Sequence, residues 1–146
     1  MSDLVIINGP NLNLVGIRQP EIYGYQSFDK FLPELRQQFL PLQIHYLQSN
    51  HEGLLIDWLH EFGFSAKGIV LNAGGLTHTS VALADAVASI TTPVAEVHLS
   101  NIYEREPFRH HSYLKPVCAF SVIGKGMEGY REALLKLLEI NSKRNY

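Results

Sequence analysis

Two kinds of hydrophobic pattern alternate along the chain. Short apolar runs, one of them alternating with polar residues, are typical of strands in a buried sheet. They predict five strands, over residues 4–7, 43–48, 68–71, 94–99 and 117–123. Between the strands, apolar residues recur every three or four positions, which indicates amphipathic helices. This spacing predicts helices that begin near Ser27 and that cover residues 54–62, about 80–90 and 127–140.

Two features interrupt the first half of this pattern. Pro33 falls inside the helix predicted near Ser27, and proline lacks the backbone N–H that an interior helical position needs. Its presence favours a start later than Ser27. Residues 11–26 form a loop of sixteen residues without periodicity, which carries two glycines and a proline. Loops of this length in compact domains are usually functional or disordered.

The order of the elements predicts the fold. Strands that alternate with helices imply right-handed βαβ units and a parallel sheet covered on both faces. Five strands suit an α/β flavodoxin-like doubly wound fold with strand order 2-1-3-4-5. We therefore expect one catalytic domain over residues 1–146, with residues 11–26 as a mobile lid. Ligands of such sheets bind beyond the carboxyl ends of the strands, near the point where strand order reverses.

Composition and charge exclude several classes of protein. Hydrophobic residues make up 46% and charged residues 18% of the 146 residues, unlike a disordered, collagen-like or coiled-coil chain. Twelve Lys and Arg against fourteen Asp and Glu show no basic excess, so we expect no nucleic-acid partner. No apolar run approaches the roughly 20 residues of a membrane span. The first residues lack a signal peptide, and the single Cys118 cannot form an internal disulfide, so we predict a cytoplasmic protein.

Three polar clusters follow the first, third and fourth predicted strands, over residues 8–23, 72–78 and 96–109. In the first cluster, Arg18 and Tyr23 lie on a loop bracketed by glycines, which could close over a bound molecule. The alternative interpretation, a packing tyrosine and a solvated arginine, is equally compatible with the sequence.

The second cluster combines glycines with hydroxyl residues. Gly74 and Gly75 at a strand-to-helix turn let the backbone approach a ligand, and the free amides of a helix N-terminus favour an anion. Thr77, Thr79 or Ser80 could equally be simple helix N-caps. The glycine spacing matches neither a dinucleotide fingerprint nor a phosphate-binding P-loop.

The third cluster contains two ionisable residues inside an apolar strand. Glu96 and His98 are two residues apart and therefore share one face of the strand. Charged groups there cost free energy unless they are paired, which favours a catalytic pair over a structural ion pair. A metal site is the weaker hypothesis, because the histidines lack a zinc-ligand spacing and His110 and His111 are adjacent. The sequence also predicts no nucleophilic serine or cysteine. No Gly-x-Ser-x-Gly turn occurs, and Cys118 is interpreted as a buried small residue of the fifth strand.

Taken together, the clusters resemble type II 3-dehydroquinate dehydratase. The matching segments are residues 8–13 with 18–24, residues 72–83, and residues 96–101 continuing through 105–113. The resemblance covers essentially the whole chain. It implies a cofactor-free and metal-free trans dehydration of 3-dehydroquinate to 3-dehydroshikimate through an enolate, in aromatic biosynthesis or quinate breakdown. It also implies a homododecamer built from four trimers.

The resemblance also implies roles for individual residues. Tyr23 would be the base, with Arg18 stabilising its phenolate. His98 would be the general acid, with Glu96 orienting its ring. Asn11 would hold a water molecule at the enolate oxygen.

The substrate-binding residues implied by the resemblance come from all three clusters and from one further helix. Their expected contacts are as follows: Asn72 with the backbone amides of Leu99 and Ser100 at the carboxylate, His78 and Arg109 at the ring hydroxyls, Gly74, Gly75 and Arg105 elsewhere in the pocket, and Asp85 from a neighbouring subunit.

Two other functions are compatible with the predicted fold. An FMN-binding module would carry a Ser- and Thr-rich phosphate loop after the first strand, and the segment from Asn8 to Asn11 is not one. A phospho-acceptor receiver domain would carry acidic residues at the ends of the first and third strands, where this chain has Asn11 and Asn72.

Overall fold

A computed structural model describes residues 3–144 of the protein, which fold around one five-stranded parallel sheet. The strands are β1 (Leu4–Asn8), β2 (Ile44–Gln48), β3 (Gly68–Asn72), β4 (Val94–His98) and β5 (Phe120–Ile123). They are arranged in the order β2-β1-β3-β4-β5, and every neighbouring pair is parallel. The predicted flavodoxin-like fold and its strand order are therefore confirmed.

Five α-helices connect or follow the strands. They are α1 (Pro20–Tyr23), α2 (Phe28–Phe39), α3 (Glu52–Phe62), α4 (Val81–Ala88) and α5 (Glu128–Arg144). Short 3₁₀ turns cover Leu12–Leu14, Gly74–His78, Ile102–Glu104 and Pro107–Arg109. Among residues 3–144, no helix has the length and apolar character needed to cross a membrane.

The sheet is covered on both faces, as the continuous apolar strands predict. All residues of β1, β3 and β4 are buried. Alternate residues point to opposite faces: Leu4 and Ile6 of β1 pack with α2 and α5, whereas Val5 and Ile7 pack with α3 and α4. The polar residues at the carboxyl ends of these strands are therefore supported by apolar cores on both faces of the sheet.

The helix that contains Pro33 begins directly after Ser27, where the hydrophobic spacing predicts it. It starts at Phe28, and Pro33 lies in its second turn rather than its first. An interior proline costs about 3 kcal/mol. Five side chains on the inner face of α2 are buried, and each such burial contributes roughly 1.5–3 kcal/mol. Hydrophobic burial therefore outweighs the lost hydrogen bond, so Pro33 is tolerated inside the helix and does not delay its start beyond Phe28.

The fifth strand is shorter than predicted. Residues 117–119 precede β5, and the N–H groups of Val117 and Cys118 instead donate to the carbonyl of Leu114 in a turn. The chain first joins β4 where the N–H of Ala119 donates to the carbonyl of Val94, at 2.8 Å. Cys118 therefore lies before β5, packed against the core on the α3 and α4 side. Burial, with a contribution from the charge of Glu96, raises the pKa of the Cys118 thiol, which keeps it protonated.

The ends of β1 and β3 approach each other very closely. Asn8 and Asn72 are register partners, and the N–H of Gly9 donates to the carbonyl of Asn72 at 2.7 Å. A Cβ atom at Gly9 would lie 2.7 Å from the carbonyl oxygen of Ala73. Because this clash is with backbone atoms of Ala73, only glycine at position 9 lets the loops after β1 and β3 leave the sheet side by side.

Replacement of Gly9 should therefore destabilise the fold. We expect Gly9→Ala to lower the free energy of unfolding by about 1–3 kcal/mol, since the clash is with backbone that cannot rotate away. Gly53→Ala is the matched control, because a Cβ at this helical position meets nothing within 4 Å. It should raise the free energy of unfolding by about 0.5–1 kcal/mol. Urea denaturation measures both, and equal stabilities for the two variants would contradict this explanation.

Candidate active site

A cleft of about 120 Å³ lies beyond the carboxyl ends of β1, β3 and β4. The predicted site residues come together in its walls, with the exception of Glu96 and Asp85. The walls are formed by Pro10, Asn11, Leu12, Arg18, Tyr23, Asn72, Gly74, Gly75, His78, His98, Leu99, Ser100, Ile102, Arg105 and Arg109. The sequence did not identify Pro10, Leu12 or Ile102, because an apolar residue that lines a cleft gives the same signal as one in the core.

Glu96 lies behind the cleft and is 1% exposed. Its Oε2 atom accepts hydrogen bonds from Nε2 of His98 at 2.8 Å and from the hydroxyl of Ser112 at 2.5 Å. Its Oε1 atom accepts from the hydroxyl of Ser121 at 2.6 Å. Burial acts to raise the pKa of Glu96, but His98 and the two serines outweigh it and hold the pKa below the ordinary value. Glu96 is therefore a buried, ionised carboxylate.

The two serines were not predicted as part of the site. Ser121 is the register partner of Glu96 on β5, so a known pairing of these strands would have located it. Ser112 reaches Glu96 from a loop sixteen residues further along the chain, and no periodic pattern reports such a contact.

The bond to Glu96 fixes the orientation of the His98 ring. Because an ionised carboxylate only accepts hydrogen bonds, Nε2 of His98 must carry a hydrogen. The other ring nitrogen, Nδ1, has no hydrogen-bond partner among residues 3–144 and belongs to a ring that lines the cleft. Nδ1 is therefore the atom of His98 available for proton transfer.

His78 is oriented in the opposite sense. Its Nδ1 donates to the backbone carbonyl of His111 at 2.8 Å, which leaves Nε2 as an acceptor. Burial lowers the pKa of His78, and the nearby His98 and Arg109 lower it further, against the opposing effect of the bond to His111. The ring centroids of His78 and His98 are 6.2 Å apart. The cleft therefore contains one histidine held neutral beside a second that is hydrogen-bonded to a carboxylate.

Tyr23 lines the cleft from the end of the short helix α1, within the segment that joins β1 to α2. The guanidinium carbon of Arg18 is 4.7 Å from the centre of its ring, and that of Arg105 is 5.2 Å away. Arg18 is therefore half-buried beside this ring and is not a purely solvated charge. Tyr23 also packs against the core, so its aromatic ring is anchored while its surroundings are strongly positive. The contact with Arg105 was not predicted, since 82 residues separate the two along the chain.

Both arginines that follow β4 are held by one exposed carboxylate. Nε of Arg109 donates to Oε2 of Glu106 at 3.0 Å, and Nε of Arg105 lies 3.7 Å from Oε1 of the same side chain. Arg105 also reaches the hydroxyl of Ser100 at 3.4 Å. Glu106 was not predicted, because in the sequence it is one charged residue among many.

The loop after β3 supplies backbone and amide groups. Asn72 is 3% exposed, and its Oδ1 atom accepts from the N–H of Gly74 at 3.2 Å. Gly74 has φ of 59° and its α-carbon faces the carbonyl of Pro10, so only glycine fits there. Ser80 caps α4 by accepting from the N–H of Leu83 at 2.9 Å, which confirms the capping interpretation for that residue.

One predicted site residue lies outside the cleft, and the metal hypothesis concerns all of the described residues. Asp85 is exposed on α4 and does not line the cleft of its own chain, so its contribution from a neighbouring subunit stays a prediction. Within the described part of the chain, no group of three or more His, Cys, Asp or Glu side chains could hold a metal ion.

Two chemically different groups of side chains therefore line the same cleft. The strand side presents His98 backed by an ionised carboxylate, which suits proton donation. The loop side presents a phenol beside two guanidinium groups, so a hydroxyl and two fixed positive charges lie together there. Asn72, Arg109 and the neighbouring amides provide hydrogen-bond donors for an anionic ligand.

Comparisons with known proteins agree on one family. A family model described as dehydroquinase class II matches residues 2–138. A 3-dehydroquinate dehydratase of Halothermothrix orenii is 45% identical over 100% of both chains, and that of Bacillus subtilis is 49% identical over 94% of this chain and 95% of the relative. A crystal structure of the type II dehydroquinase from Butyrivibrio crossotus matches with a TM-score of 0.88 at 41% identity, covering 93% of this chain and 97% of that one.

The ionised state of Glu96 predicts how stability depends on pH. A carboxyl whose pKa is lower in the folded than in the unfolded chain contributes stability above its ordinary value of 4.5 and loses it as the pH falls through the folded pKa. Glu96→Gln should lower the free energy of unfolding by about 1–3 kcal/mol at pH 7. This difference from the wild type should shrink below about pH 4.5.

Urea denaturation at pH 7, 5 and 3.5 measures this difference. Glu139→Gln, at an exposed position of α5, is the matched control and should leave the free energy of unfolding almost unchanged throughout. A difference for Glu96→Gln that stays constant down to pH 3.5 would show that the buried carboxyl is not ionised at neutral pH.

Proposed function

The chain belongs to the class II dehydroquinase family, and we infer that it is a hydro-lyase that converts 3-dehydroquinate to 3-dehydroshikimate and water in the shikimate pathway. The observation that carries the assignment is that His98, hydrogen-bonded to the buried Glu96, lines the same cleft as a phenol beside two guanidinium groups. These are a candidate acid and a candidate base on separate segments of one cleft, which suits a stepwise elimination.

The reaction removes one proton and one hydroxyl from adjacent carbons. The proton leaves the carbon next to the ketone, and its electron pair forms an enolate. The enolate then reforms the ketone, the new carbon–carbon double bond forms, and the hydroxyl departs with a proton as water. The base gains one proton and the acid loses one, so the number of protons on the enzyme is unchanged. Proton exchange with solvent then returns both groups to their starting states.

We assign the base to Tyr23. A tyrosine in water is ionised in only about one molecule per thousand at pH 7, so a phenolate base needs stabilisation. Arg18 and Arg105 place two positive charges beside this residue, with guanidinium carbons 4.7 and 5.2 Å from the ring centre. Arginine suits this role because it stays charged throughout the physiological pH range.

We assign the general acid to His98. Its Nε2–H is held by Glu96, so the proton delivered to the departing hydroxyl is the one on Nδ1. The hydrogen bond to the ionised Glu96 keeps the ring in one orientation before and after the transfer. Ser112 and Ser121 serve this step indirectly, because they keep the carboxylate fully hydrogen-bonded in a buried position.

The enolate oxygen needs a donor of its own. Asn11 lines the cleft, and its backbone N–H donates to the Asn50 side chain at 2.9 Å, which fixes the position of the residue. We propose that the Asn11 side chain holds a water molecule at this oxygen. Tyr23, Asn11, Arg18, Glu96 and His98 then supply every proton and charge that the reaction needs, so we propose that it requires no metal or other cofactor.

The substrate is held by the remaining residues of the cleft. We propose that Asn72 and the backbone amides of Leu99 and Ser100 bind the carboxylate. His78, through the free Nε2 acceptor, and Arg109 would contact the ring hydroxyls. Gly74, Gly75 and Arg105 complete the pocket, and their position in its walls supports this arrangement.

We further propose that residues 11–26 act as a lid over a single catalytic domain. Arg18 and Tyr23 lie within this segment, and Gly16 and Gly24 near its bends have φ of 95° and 97°. Opening of the lid would separate the base from the strand side of the cleft, and closure would exclude water. The assembly is proposed to be a homododecamer of four trimers in which Asp85 reaches a neighbouring cleft, since it is exposed outside its own. The single, protonated Cys118 supports a location in the reducing cytoplasm.

A direct assay tests the assignment of base and acid. Chelator-treated protein mixed with 3-dehydroquinate should produce the absorbance of the conjugated enone. Tyr23→Phe and His98→Asn should each lower kcat by about 10²–10⁴, the usual contribution of a general base or acid. Tyr25→Phe is the matched control, because Tyr25 lies on the same loop but is 79% exposed. A Tyr23→Phe variant that keeps most of its rate would place the base elsewhere.

A second test addresses the alternative route to the same product, an imine between the ketone and a lysine. No lysine of residues 3–144 lines the cleft. Sodium borohydride added together with substrate should therefore leave the activity unchanged after the reagent is removed, whereas an imine would be reduced and trapped. Irreversible loss of activity with a mass increase on a lysine would contradict the mechanism.

A further inference from the structure

A fully buried tyrosine lies directly beneath the cleft, and the mechanism does not use it. Tyr130 of α5 is 0% exposed and sits in the core formed by α2 and α5. Its hydroxyl donates to Oδ1 of Asn8 at 2.8 Å and accepts from Nδ2 of Asn72 at 2.8 Å. One phenol of the core thus joins the ends of β1 and β3 at the floor of the site.

The direction of these hydrogen bonds is fixed by a single backbone group. The N–H of Gly74 can only donate, and it donates to Oδ1 of Asn72 at 3.2 Å. The Nδ2 group of Asn72 must then face Tyr130, whose oxygen accepts from it. The only hydrogen of the Tyr130 hydroxyl is therefore committed to Asn8, and Nδ2 of Asn8 is left to donate to the hydroxyl of Tyr46 at 3.4 Å. The reverse polarity would set Nδ2 of Asn72 against the N–H of Gly74.

This chain determines which atoms of Asn72 remain for a ligand. Nδ2 carries two hydrogens, and Tyr130 takes one of them. The second has no partner within the described part of the chain, and Asn72 lines the cleft. The floor of the cleft therefore offers an N–H donor rather than a carbonyl acceptor, which suits an anionic group.

We propose that Tyr130 is a positioning residue that holds the Asn72 amide in the orientation that binds the substrate carboxylate. This inference rests on the proposed function, in which Asn72 contacts that carboxylate. Without the Tyr130 hydroxyl, the 3.2 Å bond to Gly74 is the one hydrogen bond from residues 3–144 that restrains the amide, and a rotated amide would present its oxygen to an anion. Burial raises the pKa of Tyr130, so the hydroxyl keeps its hydrogen and the polarity holds over the working pH range.

Tyr130→Phe tests the proposal with a kinetic readout that a loss of packing would not produce. It removes one oxygen and retains the buried ring. We expect KM for 3-dehydroquinate to rise 10- to 100-fold, the usual consequence of losing a hydrogen bond to a charged group, while kcat changes less than threefold. Tyr46→Phe is the matched control, because its hydroxyl also bonds to Asn8 but does not touch Asn72. Its KM should change less than twofold.

A second readout isolates the carboxylate. The ratio of kcat/KM for 3-dehydroquinate to that for its methyl ester should fall at least fivefold in Tyr130→Phe, since the donor recognises the negative charge. A general loss of structure would lower both values together. If Tyr130→Phe yields no folded protein, Asn8→Ala replaces it: the phenol stays, but its hydrogen loses the Asn8 acceptor and is free to turn toward Asn72. The same rise in KM and fall in the ratio are expected.

Unchanged KM and an unchanged acid-to-ester ratio in the folded variant would overturn the proposal. A kcat that falls with KM constant would also overturn it, because it would place Tyr130 in the chemical step rather than in binding. The wild type measured alongside separates this outcome from failure of the proposed function: a wild type that produces no enone contradicts the function, whereas an active wild type with unaltered variants contradicts only the role of Tyr130.

Discussion

The burial of one negative charge constrains the centre of this protein. Glu96 stands on β4, between β3 and β5, at 1% exposure. An isolated carboxylate in such a place costs several kcal/mol, so it requires donors that reach both of its oxygens. These donors come from β4 itself, from β5 and from the loop that follows Arg109. The pairing of β4 with β5, the path of that loop and the orientation of His98 therefore each bring a hydrogen-bond donor to the Glu96 carboxylate.

A second polar network, formed by Asn8, Asn72 and Tyr130, lies on the other face of the sheet at the same end of the strands. Residues of a strand alternate between faces, so Glu96 and His98 point toward α3 and α4, whereas Asn8 and Asn72 point toward Tyr130 of α5. The first network carries a charge and controls a proton. The second is neutral, and its hydrogen bonds run in one direction from the backbone of Gly74. The sheet thus separates the proton-transfer groups from the group assigned to the substrate carboxylate, and the cleft lies where the two networks meet.

Much of the fold could be predicted because its signals are local. The apolar runs of β1 and β3, the mostly apolar β4 and the helical spacing between them predicted alternating strands and helices, and five such strands suit the order 2-1-3-4-5. The two-residue separation of Glu96 and His98 placed them on one face of β4. The errors also have local causes: residues 117–119 are apolar but form a turn, and Pro33 was given more weight than the buried face of α2. The contacts that sequence could not supply join distant segments. No periodic pattern in the sequence indicates that Ser112 contacts Glu96, that Arg105 contacts Tyr23, or that Tyr130 contacts Asn8.

The central claim is that two groups in different walls of the cleft carry out the elimination, one on the loop and one at the strand end. The most direct measurement uses 3-dehydroquinate that carries deuterium in one defined position of the methylene group next to the ketone, with the product examined by NMR. Deuterium anti to the departing hydroxyl should be lost, and deuterium on the same face should be retained, because the base and the acid approach from opposite sides. Loss of the deuterium on the same face as the hydroxyl would contradict this arrangement and place both proton transfers in one wall.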